Sequence, residues 1–345
     1  MKAVRIGPGS GVDKLCYEDM PDPEPGPNDI LVRVRAAALN HLEVWAVQAP
    51  PGAGIGQVGR IPGSDVAGVV EAVGTAVRGV EIGSPVMVQP GLSCGTCLAC
   101  LSGKDNDCPQ YTIIGTRPEA PGGLAELVAV PAVNLIPKPD NLSFEDAASI
   151  PLVFVTAWHM LVTLARVRLG ETVLVNAAGS GVGSTAIQIA KLHGARVIAS
   201  AGSAPKLEMA RQLGADEIIN YTEQDLAQEA RRLTDGRGID LVFEHVGGEI
   251  FEKSVEALAR GGRLVTCGAT AAPTATLNVT PLFFYGHSII GSFMGTKGEL
   301  LEALRFVRSG QLRPVVDRVF PLSEARAAVQ HLAERRQFGK VVLVP

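Results

Sequence analysis

Four cysteines stand close together in the segment "GLSCGTCLACLSGKDNDCP". Cys94, Cys97, Cys100 and Cys108 are spaced C-x2-C-x2-C-x7-C, and four thiolates joined by tight turns can surround a tetrahedral ion. Disulfides are disfavoured in a reducing compartment, and a redox C-x-x-C motif needs only two of these thiols. An iron–sulfur cluster is the main alternative, although ferredoxins place three residues before the last cysteine. The x7 spacing favours zinc, and four protein ligands would make that zinc structural.

A glycine-rich loop, "NAAGSGVGS", lies between a predicted apolar strand and a predicted helix. Glycines there allow a tight turn and let backbone N–H groups approach a pyrophosphate at a helix N-terminus. The loop departs from G-x-G-x-x-G, so an ordinary strand–helix turn is the alternative. Its place at the first crossover of an alternating strand–helix pattern favours dinucleotide binding. The predicted binding residues are Gly179, Ser180, Gly181, Val182 and Gly183.

The end of the next strand indicates which dinucleotide binds. NAD sites usually place an acidic residue there, where it binds the ribose 2′-hydroxyl. Here Ala201 and Gly202 occupy that position, and Ser203 and Lys206 follow. A hydroxyl and a cation suit a 2′-phosphate, so we predict a preference for NADP(H), with a merely solvated Lys206 as the alternative.

Two kinds of sequence carry these motifs. The chain up to about residue 150 is dense in Pro and Gly, with short β-type runs such as "ILVRVRAAAL", which predicts a mainly antiparallel domain. Apolar strands then alternate with helices, from "ETVLVNAA" to "HSIIGSFMG", which predicts a doubly wound parallel α/β sheet. We predict a first domain over 1–153 with a cysteine lobe at about 91–109, a dinucleotide-binding domain over 154–292, and a return to the first domain over 293–345.

Composition limits the function classes. The net charge of −4, without a cluster of Lys and Arg, argues against nucleic acid as a partner. No apolar run approaches the roughly 20 residues of a membrane helix, and the start "MKAVRIGPGSG" has no long apolar signal core. We therefore expect a cytoplasmic protein that acts on a small molecule.

The whole chain resembles the medium-chain dehydrogenase/reductase superfamily, which includes zinc alcohol dehydrogenases and quinone reductases. The motifs that carry the resemblance are "GSDVAGVVEAVG", the cysteine lobe, "AAGSGVGSTAIQIAK", "LGADEIINY", "GGRLVTCG" and "FGKVVL". The resemblance implies a GroES-like catalytic domain made of both chain ends, around an inserted Rossmann domain, with the active site in the cleft between them. It also implies a homodimer or homotetramer, with "HSIIGSF" as the sheet edge involved.

The resemblance implies further cofactor-binding residues by position. Thr156 would lie beside the nicotinamide, Tyr221 near the 2′-phosphate, and Lys340 near the phosphates. The nicotinamide end would meet Gly268, Ala269 and the backbone of Ser292–Met294.

The resemblance also implies that a second metal of the family is missing here. Zinc alcohol dehydrogenases hold a catalytic zinc by Cys, His and Cys, and this chain has Asn40, Ser64 and Leu152 at those positions. Asp65 stands where the family has an acidic residue beside the His. A metal-free site of the quinone-reductase type is therefore implied.

His41 is interpreted as a polar neighbour of cofactor or substrate. A zinc site built from His41, Glu43 and Asp65 is the alternative that the sequence leaves open.

We predict an NADP(H)-dependent reductase of a quinone, an α,β-unsaturated carbonyl (enone) or an aldehyde, with one structural zinc per chain. Asn40, His41 and Asp65 are the catalytic candidates. An extended π system can spread the negative charge that a metal would otherwise stabilise. The alternatives are an alcohol dehydrogenase with an unorthodox second zinc and a non-catalytic dinucleotide sensor.

Overall fold

A computed structural model of the protein describes residues 1–50 and 54–345, which divide into two units. The first unit comprises Met1–Leu152, Thr296–Leu300 and Pro314–Pro345, and the second comprises Val153–Gly295 and Leu301–Arg313.

The strands of the described residues are numbered in chain order. They are β1 (Lys2–Ile6), β2 (Leu15–Asp19), β3 (Asp29–Ala38), β4 (Asp65–Val73), β5 (Pro85–Val88), β6 (Gly91–Leu92), β7 (Thr112–Ile113), β8 (Leu127–Pro131), β9 (Leu135–Pro137), β10 (Thr172–Val175), β11 (Arg196–Ala201), β12 (Glu217–Asn220), β13 (Ile239–Glu244), β14 (Leu258–Thr266), β15 (Ser288–Gly291), β16 (Val316–Pro321) and β17 (Lys340–Val344).

The α-helices are numbered in the same way. They are α1 (His41–Gln48), α2 (Leu98–Leu101), α3 (Phe144–Ala148), α4 (Pro151–Trp158), α5 (Gly181–Leu192), α6 (Ala204–Gln212), α7 (Leu226–Leu233), α8 (Gly248–Glu256), α9 (Val279–Phe284), α10 (Lys297–Arg308) and α11 (Ala325–Ala333). A π-helical segment, His159–Leu164, continues α4. None of the described helices has both the length and the hydrophobicity that a bilayer crossing needs.

The first unit is built on a largely antiparallel sheet in the order β16-β17-β3-β4-β5-β9, with β8 also paired to β3. Strand β3 runs antiparallel to β4, β8 and β17, so it is the centre of the sheet. Its residues Ile30, Val32 and Val34 are buried in the core of the unit. The predicted mainly antiparallel fold of this part of the chain is confirmed, and the last strand, β17, completes the sheet.

The second unit contains a wholly parallel sheet in the order β12-β11-β10-β13-β14-β15. Numbered within the unit, this order is 3-2-1-4-5-6, the arrangement of the Rossmann fold. Val173, Leu174 and Val175 of the central strand are fully buried, as expected for a strand covered by helices on both faces. The predicted doubly wound sheet is confirmed.

The second unit includes residues that we predicted to belong to the first domain. Residues 293–295 and 301–313 belong to the second unit, whereas we predicted a return to the first domain from 293 onwards. Helix α10 explains the difference, because its buried Leu304 and Val307 flank Phe306, whose ring stacks on Trp158 of the second unit at 5.5 Å between centroids.

Helix α5 begins tightly against the end of β10, and Gly183 makes this approach possible. A Cβ atom at Gly183 would lie 2.6 Å from the carbonyl oxygen of Ala177 and 2.8 Å from Ser180 Oγ. The Gly183 N–H donates to Ser180 Oγ at 2.9 Å, which caps the helix. A side chain at this position would therefore push the helix away from the loop.

We expect Gly183→Ala to destabilise the protein by about 1–3 kcal/mol, the usual cost of overpacking. Gly291→Ala is the matched control, because a Cβ atom there has no neighbour within 4 Å. Urea unfolding followed by circular dichroism measures both variants. Equal midpoints for the two variants would contradict the steric argument.

Candidate functional site

The four cysteine sulfurs of the lobe lie together. All four Sγ atoms are within 4.8 Å of one another, and every cysteine is free of disulfides. Cys100 Sγ lies 3.9 Å from Cys94 Sγ and 3.5 Å from Cys97 Sγ. A tetrahedral zinc with Zn–S bonds of about 2.3 Å separates its sulfurs by about 3.8 Å. The residues therefore fit a zinc ion with four thiolate ligands.

Backbone N–H groups donate to the sulfurs of Cys94 and Cys108, and they favour the ionised form of Cys94. The N–H of Cys97 donates to Cys94 Sγ at 3.3 Å, and the N–H groups of Cys94 and Gln110 donate to Cys108 Sγ at 3.4 Å. The N–H groups of Thr96 and Cys97 lower the pKa of Cys94 to about 6. Thiolates are the form that binds zinc, so the turn prepares the metal site.

Hydrogen bonds attach the lobe to the rest of the first unit. Asn134 Nδ2 donates to the carbonyl oxygens of Gln89 and Gly91, at 2.7 Å each. On the other side, Asp105 Oδ1 accepts from the N–H of Lys297, the first residue of α10, at 3.2 Å. Loss of the metal would therefore disturb both the sheet end at β6 and the start of α10.

In the second unit, side chains fix the glycine-rich loop at the carboxyl ends of the central strands. Asn176 Nδ2 donates to Ser254 Oγ at 2.7 Å, and Ser200 Oγ donates to Asn176 Oδ1 at 2.9 Å. Ser180 Oγ lies 3.2 Å from Nε2 of His245, which follows β13. These contacts hold the N-terminus of α5, where free N–H groups suit a pyrophosphate.

Two of the residues that we predicted at the nicotinamide end have buried hydroxyl groups that need a hydrogen-bond partner. Within residues 1–50 and 54–345, Thr156 Oγ1 and Ser292 Oγ are buried without a hydrogen-bond partner. Such atoms are costly unless a ligand satisfies them, so their presence fits a cofactor with polar groups.

Sequence reasoning did not identify Glu244, the last residue of β13. Its Oε1 accepts from the N–H groups of Val246 at 2.6 Å and Gly247 at 3.0 Å, and its Oε2 accepts from Thr266 Oγ1 at 3.0 Å. Burial raises the pKa of this carboxyl. Glu244 thus joins the ends of β13 and β14, just before Gly268. An acidic residue closing an apolar strand is the signal that could have revealed it.

The predicted 2′-phosphate residues lie around the turn after β11. A Cβ atom at Gly202 would lie 3.1 Å from the Tyr221 hydroxyl oxygen, so Tyr221 covers this turn closely. Ser203 is the N-cap of α6, but its side chain makes no capping hydrogen bond. Lys206 is half-buried one turn along α6. The structure therefore brings Gly202, Ser203 and Tyr221 to one corner.

In the first unit, Asn40, Asp65 and Lys340 form a buried polar cluster, which we call the Asn–Asp–Lys cluster. Lys340 Nζ donates to Asp65 Oδ2 at 2.8 Å and to Asn40 Oδ1 at 2.5 Å. Asn40 Nδ2 donates to Asp65 Oδ2 at 2.9 Å, and the N–H of Leu152 donates to Asp65 Oδ1 at 2.8 Å. Lys340 is 3% exposed, and its placement near the cofactor phosphates stays a prediction.

Sheet topology explains why these residues meet. Strands β4 and β17 flank β3 and are both antiparallel to it, so both begin at the sheet end where β3 finishes. Asp65 is the first residue of β4, Lys340 is the first of β17, and Asn40 follows β3.

Glu43 contacts the backbone of Asn40, a member of the cluster, and caps α1. Its Oε2 accepts from the N–H of Asn40 at 2.7 Å, and its Oε1 accepts from the N–H of Gly63 at 3.2 Å. Burial raises the pKa of the Glu43 carboxyl, and the N–H of Asn40 and the positive charges of Lys340 and Arg60 oppose the rise.

The remaining candidate, His41, is the first residue of α1. Burial, and then the positive charge of Arg335, lower its pKa. Its ring contacts Trp45 edge-on at 5.2 Å. In the described part of the chain, only the four cysteines bring three or more ligand atoms together, so this structure gives no support to the alternative metal site at His41, Glu43 and Asp65.

Ser64, which stands in place of the family's histidine, has a distinct environment. Its side chain is fully buried, and its Oγ has no hydrogen-bond partner in the described ranges. It was not among the predicted catalytic residues.

Two protein-family models match parts of this chain. The model of the zinc-binding dehydrogenase family matches residues 181–309, and that of the alcohol dehydrogenase GroES-like domain matches residues 26–140.

Individual relatives cover nearly all of the chain. A quinone oxidoreductase of Pseudomonas aeruginosa is 31% identical, over 100% of this chain and 99% of that protein. A crotonyl-CoA reductase of Streptomyces avermitilis is 33% identical, over 95% of this chain and 81% of that protein. A solved structure described as an NAD-dependent alcohol dehydrogenase is 49% identical, covers 100% of both chains and superposes with a TM-score of 0.93.

We expect the cysteine lobe to bind one zinc per chain, and Cys97→Ser to lose that zinc and lower the thermal midpoint. Structural zinc–thiolate sites contribute on the order of 10 kcal/mol to folding, so a silent change is not expected. Cys16→Ser, outside the lobe, is the matched control and should keep the zinc. Elemental analysis with thermal melting measures both. Iron with visible absorbance, or no bound metal in the unsubstituted protein, would refute the assignment.

Proposed function

This chain belongs to the medium-chain dehydrogenase/reductase family, and from that premise we propose that it reduces a quinone, an enone or an aldehyde with NADPH. The nicotinamide ring supplies a hydride from its C4 atom when the cofactor is bound. We propose that the Asn–Asp–Lys cluster supplies the polar surface for the substrate oxygen, and that no catalytic metal takes part.

The contacts of Asp65 support a metal-free site. A carboxylate is the ligand that a cation would need here, and both of its oxygens already accept hydrogen bonds, one of them from an ammonium. Asn40, Ser64 and Leu152, at the positions of the family's metal ligands, are poor zinc ligands. Reduction of a conjugated substrate tolerates this, because its π system disperses the developing charge.

Asn40 is the proposed donor to that charge. Its Nδ2 carries two N–H bonds, and Asp65 Oδ2 accepts one of them. The second N–H would donate to the substrate oxygen as negative charge develops, and the final proton would come from water. A single donor of this kind is typically worth about 10²–10³ in rate.

The corner formed by Gly202, Ser203 and Tyr221 supports NADP(H) over NAD(H). It offers the hydroxyls of Ser203 and Tyr221, while Ala201 and Gly202 provide no carboxylate for a ribose 2′-hydroxyl. Lys206, half-buried in the first turn of α6, would add the positive charge that a 2′-phosphate requires.

An NAD-dependent alcohol dehydrogenase is the second candidate. The solved structure that shares 49% of its residues with this chain carries that description, which favours this alternative. The quinone oxidoreductase and crotonyl-CoA reductase relatives favour the first. Oxidation of NADPH with quinones, enones and aldehydes, compared with NAD reduction by plain alcohols, separates the two.

Self-association through the second unit stays a prediction. Strand β15 is the last of its sheet among the described strands, and Val279, Phe283 and Phe284 of the preceding α9 are 60–72% exposed. These features support a dimer formed by edge-to-edge pairing of β15.

We expect Lys206→Ala to weaken NADPH binding by about 1.5–3 kcal/mol, the scale of a hydrogen bond to a charged group, and to leave NADH binding nearly unchanged. Lys191→Ala is the control, because Lys191 is ion-paired with Asp216 on the same unit. Fluorescence titration gives both affinities. Equal affinity of the unsubstituted protein for NADPH and NADH would remove the proposed preference.

We expect Asn40→Ala to lower kcat about 10²–10³-fold on enone or quinone, because the donor to the developing oxyanion is lost. NADPH affinity and zinc content should stay unchanged, which serves as the control for folding. Full turnover in this variant, or turnover that requires a second removable zinc, would overturn the proposed mechanism.

A further inference from the structure

The Asn–Asp–Lys cluster fixes which way the side-chain amide of Asn40 faces. The oxygen and nitrogen of an amide have nearly the same shape, so only the surrounding partners decide the orientation. Here Oδ1 lies 2.5 Å from the ammonium of Lys340, and Nδ2 lies 2.9 Å from the carboxylate of Asp65. Rotating the amide by half a turn would place N–H bonds against an ammonium and an oxygen against a carboxylate. Both contacts would be repulsive.

We propose that Lys340 is a positioning residue that keeps the Asn40 amide in its donor orientation. Asp65 constrains only the nitrogen of the amide, whereas Lys340 contacts its oxygen. Lys340 contacts both Asn40 and Asp65, since its Nζ donates to Asn40 Oδ1 and to Asp65 Oδ2 at once. This inference rests on the proposed function, in which the second N–H of Asn40 contacts the substrate oxygen.

The burial of the cluster strengthens the effect. Lys340 is 3% exposed, Asp65 is fully buried and Asn40 is 7% exposed, so water competes little for these hydrogen bonds. Charge-assisted hydrogen bonds are stronger in such surroundings, and an unsatisfied partner is costly. The orientation of Asn40 is therefore set before a substrate arrives.

A double-mutant cycle of Lys340→Met and Asn40→Ala tests the proposal. A lysine that acts only through Asn40 has nothing left to position once that amide is gone. We expect Lys340→Met to lower kcat at least tenfold in the unsubstituted protein and to have no further effect in the Asn40→Ala background. The affinity for NADPH should not change, and Lys340→Arg should recover part of the activity because it keeps a cationic donor.

Lys14→Met is the matched control. Lys14 is also a buried lysine of the first unit, 2% exposed, but its Nζ donates to the carbonyl oxygen of Ala49 and not to the cluster. Thermal melting of each variant separates loss of folding from loss of turnover. If Lys340→Met does not fold, Lys340→Gln, which keeps a neutral donor, replaces it in both backgrounds and is judged in the same way.

The possible results distinguish the positioning role of Lys340 from the proposed catalytic role of Asn40. An equal loss of kcat for the lysine substitution in both backgrounds would overturn positioning and assign Lys340 an independent role. Weaker NADPH binding with unchanged kcat would assign it to the cofactor phosphates instead. Full activity of Asn40→Ala alone would refute the catalytic role of Asn40, and the positioning role with it.

Discussion

The buried ion pair between Lys340 and Asp65 connects two distant segments of the first unit. It joins the first residue of the last strand to the first residue of β4, positions that are 275 residues apart. A buried charge is tolerated only where an opposite charge and further hydrogen bonds satisfy it. The chain end must therefore reach β3 before this region is stable, and the whole of the second unit lies between the two partners in sequence.

The environment of this pair limits the chemistry that the region can support. The Asp65 carboxylate accepts three hydrogen bonds, one of them from the ammonium of Lys340. Glu43 accepts from the backbone N–H groups of Asn40 and Gly63. These contacts support the metal-free site that we propose. In the proposed function, the Asn40 amide donates to a substrate whose π system disperses the developing charge.

The cysteine lobe and the glycine-rich loop are both built from backbone N–H groups. In both, backbone N–H groups are gathered by tight turns: around thiolates in the lobe, and at the start of α5 in the loop. Side chains then anchor each turn to its own unit, Asn134 and Asp105 for the lobe, and Asn176 and Ser180 for the loop. Asp105, Asn176 and Ser180 belong to the motifs themselves, whereas Asn134 anchors the lobe from outside it.

The sequence by itself determined the local features. Apolar strands alternating with helices predicted the parallel sheet, because side-chain periodicity reports burial directly. Cysteine spacing predicted the metal lobe, because tight turns bring nearby thiols together whatever the rest of the fold does.

Only the tertiary structure decided the contacts between distant segments. The motif that contains Lys340 did not predict its contacts with Asp65 and Asn40, which the strand order brings about. Glu244 and the orphaned hydroxyl of Ser64 were likewise hidden, since hydrogen bonding and burial depend on which strand ends meet, and that is a property of the sheet and not of any one segment.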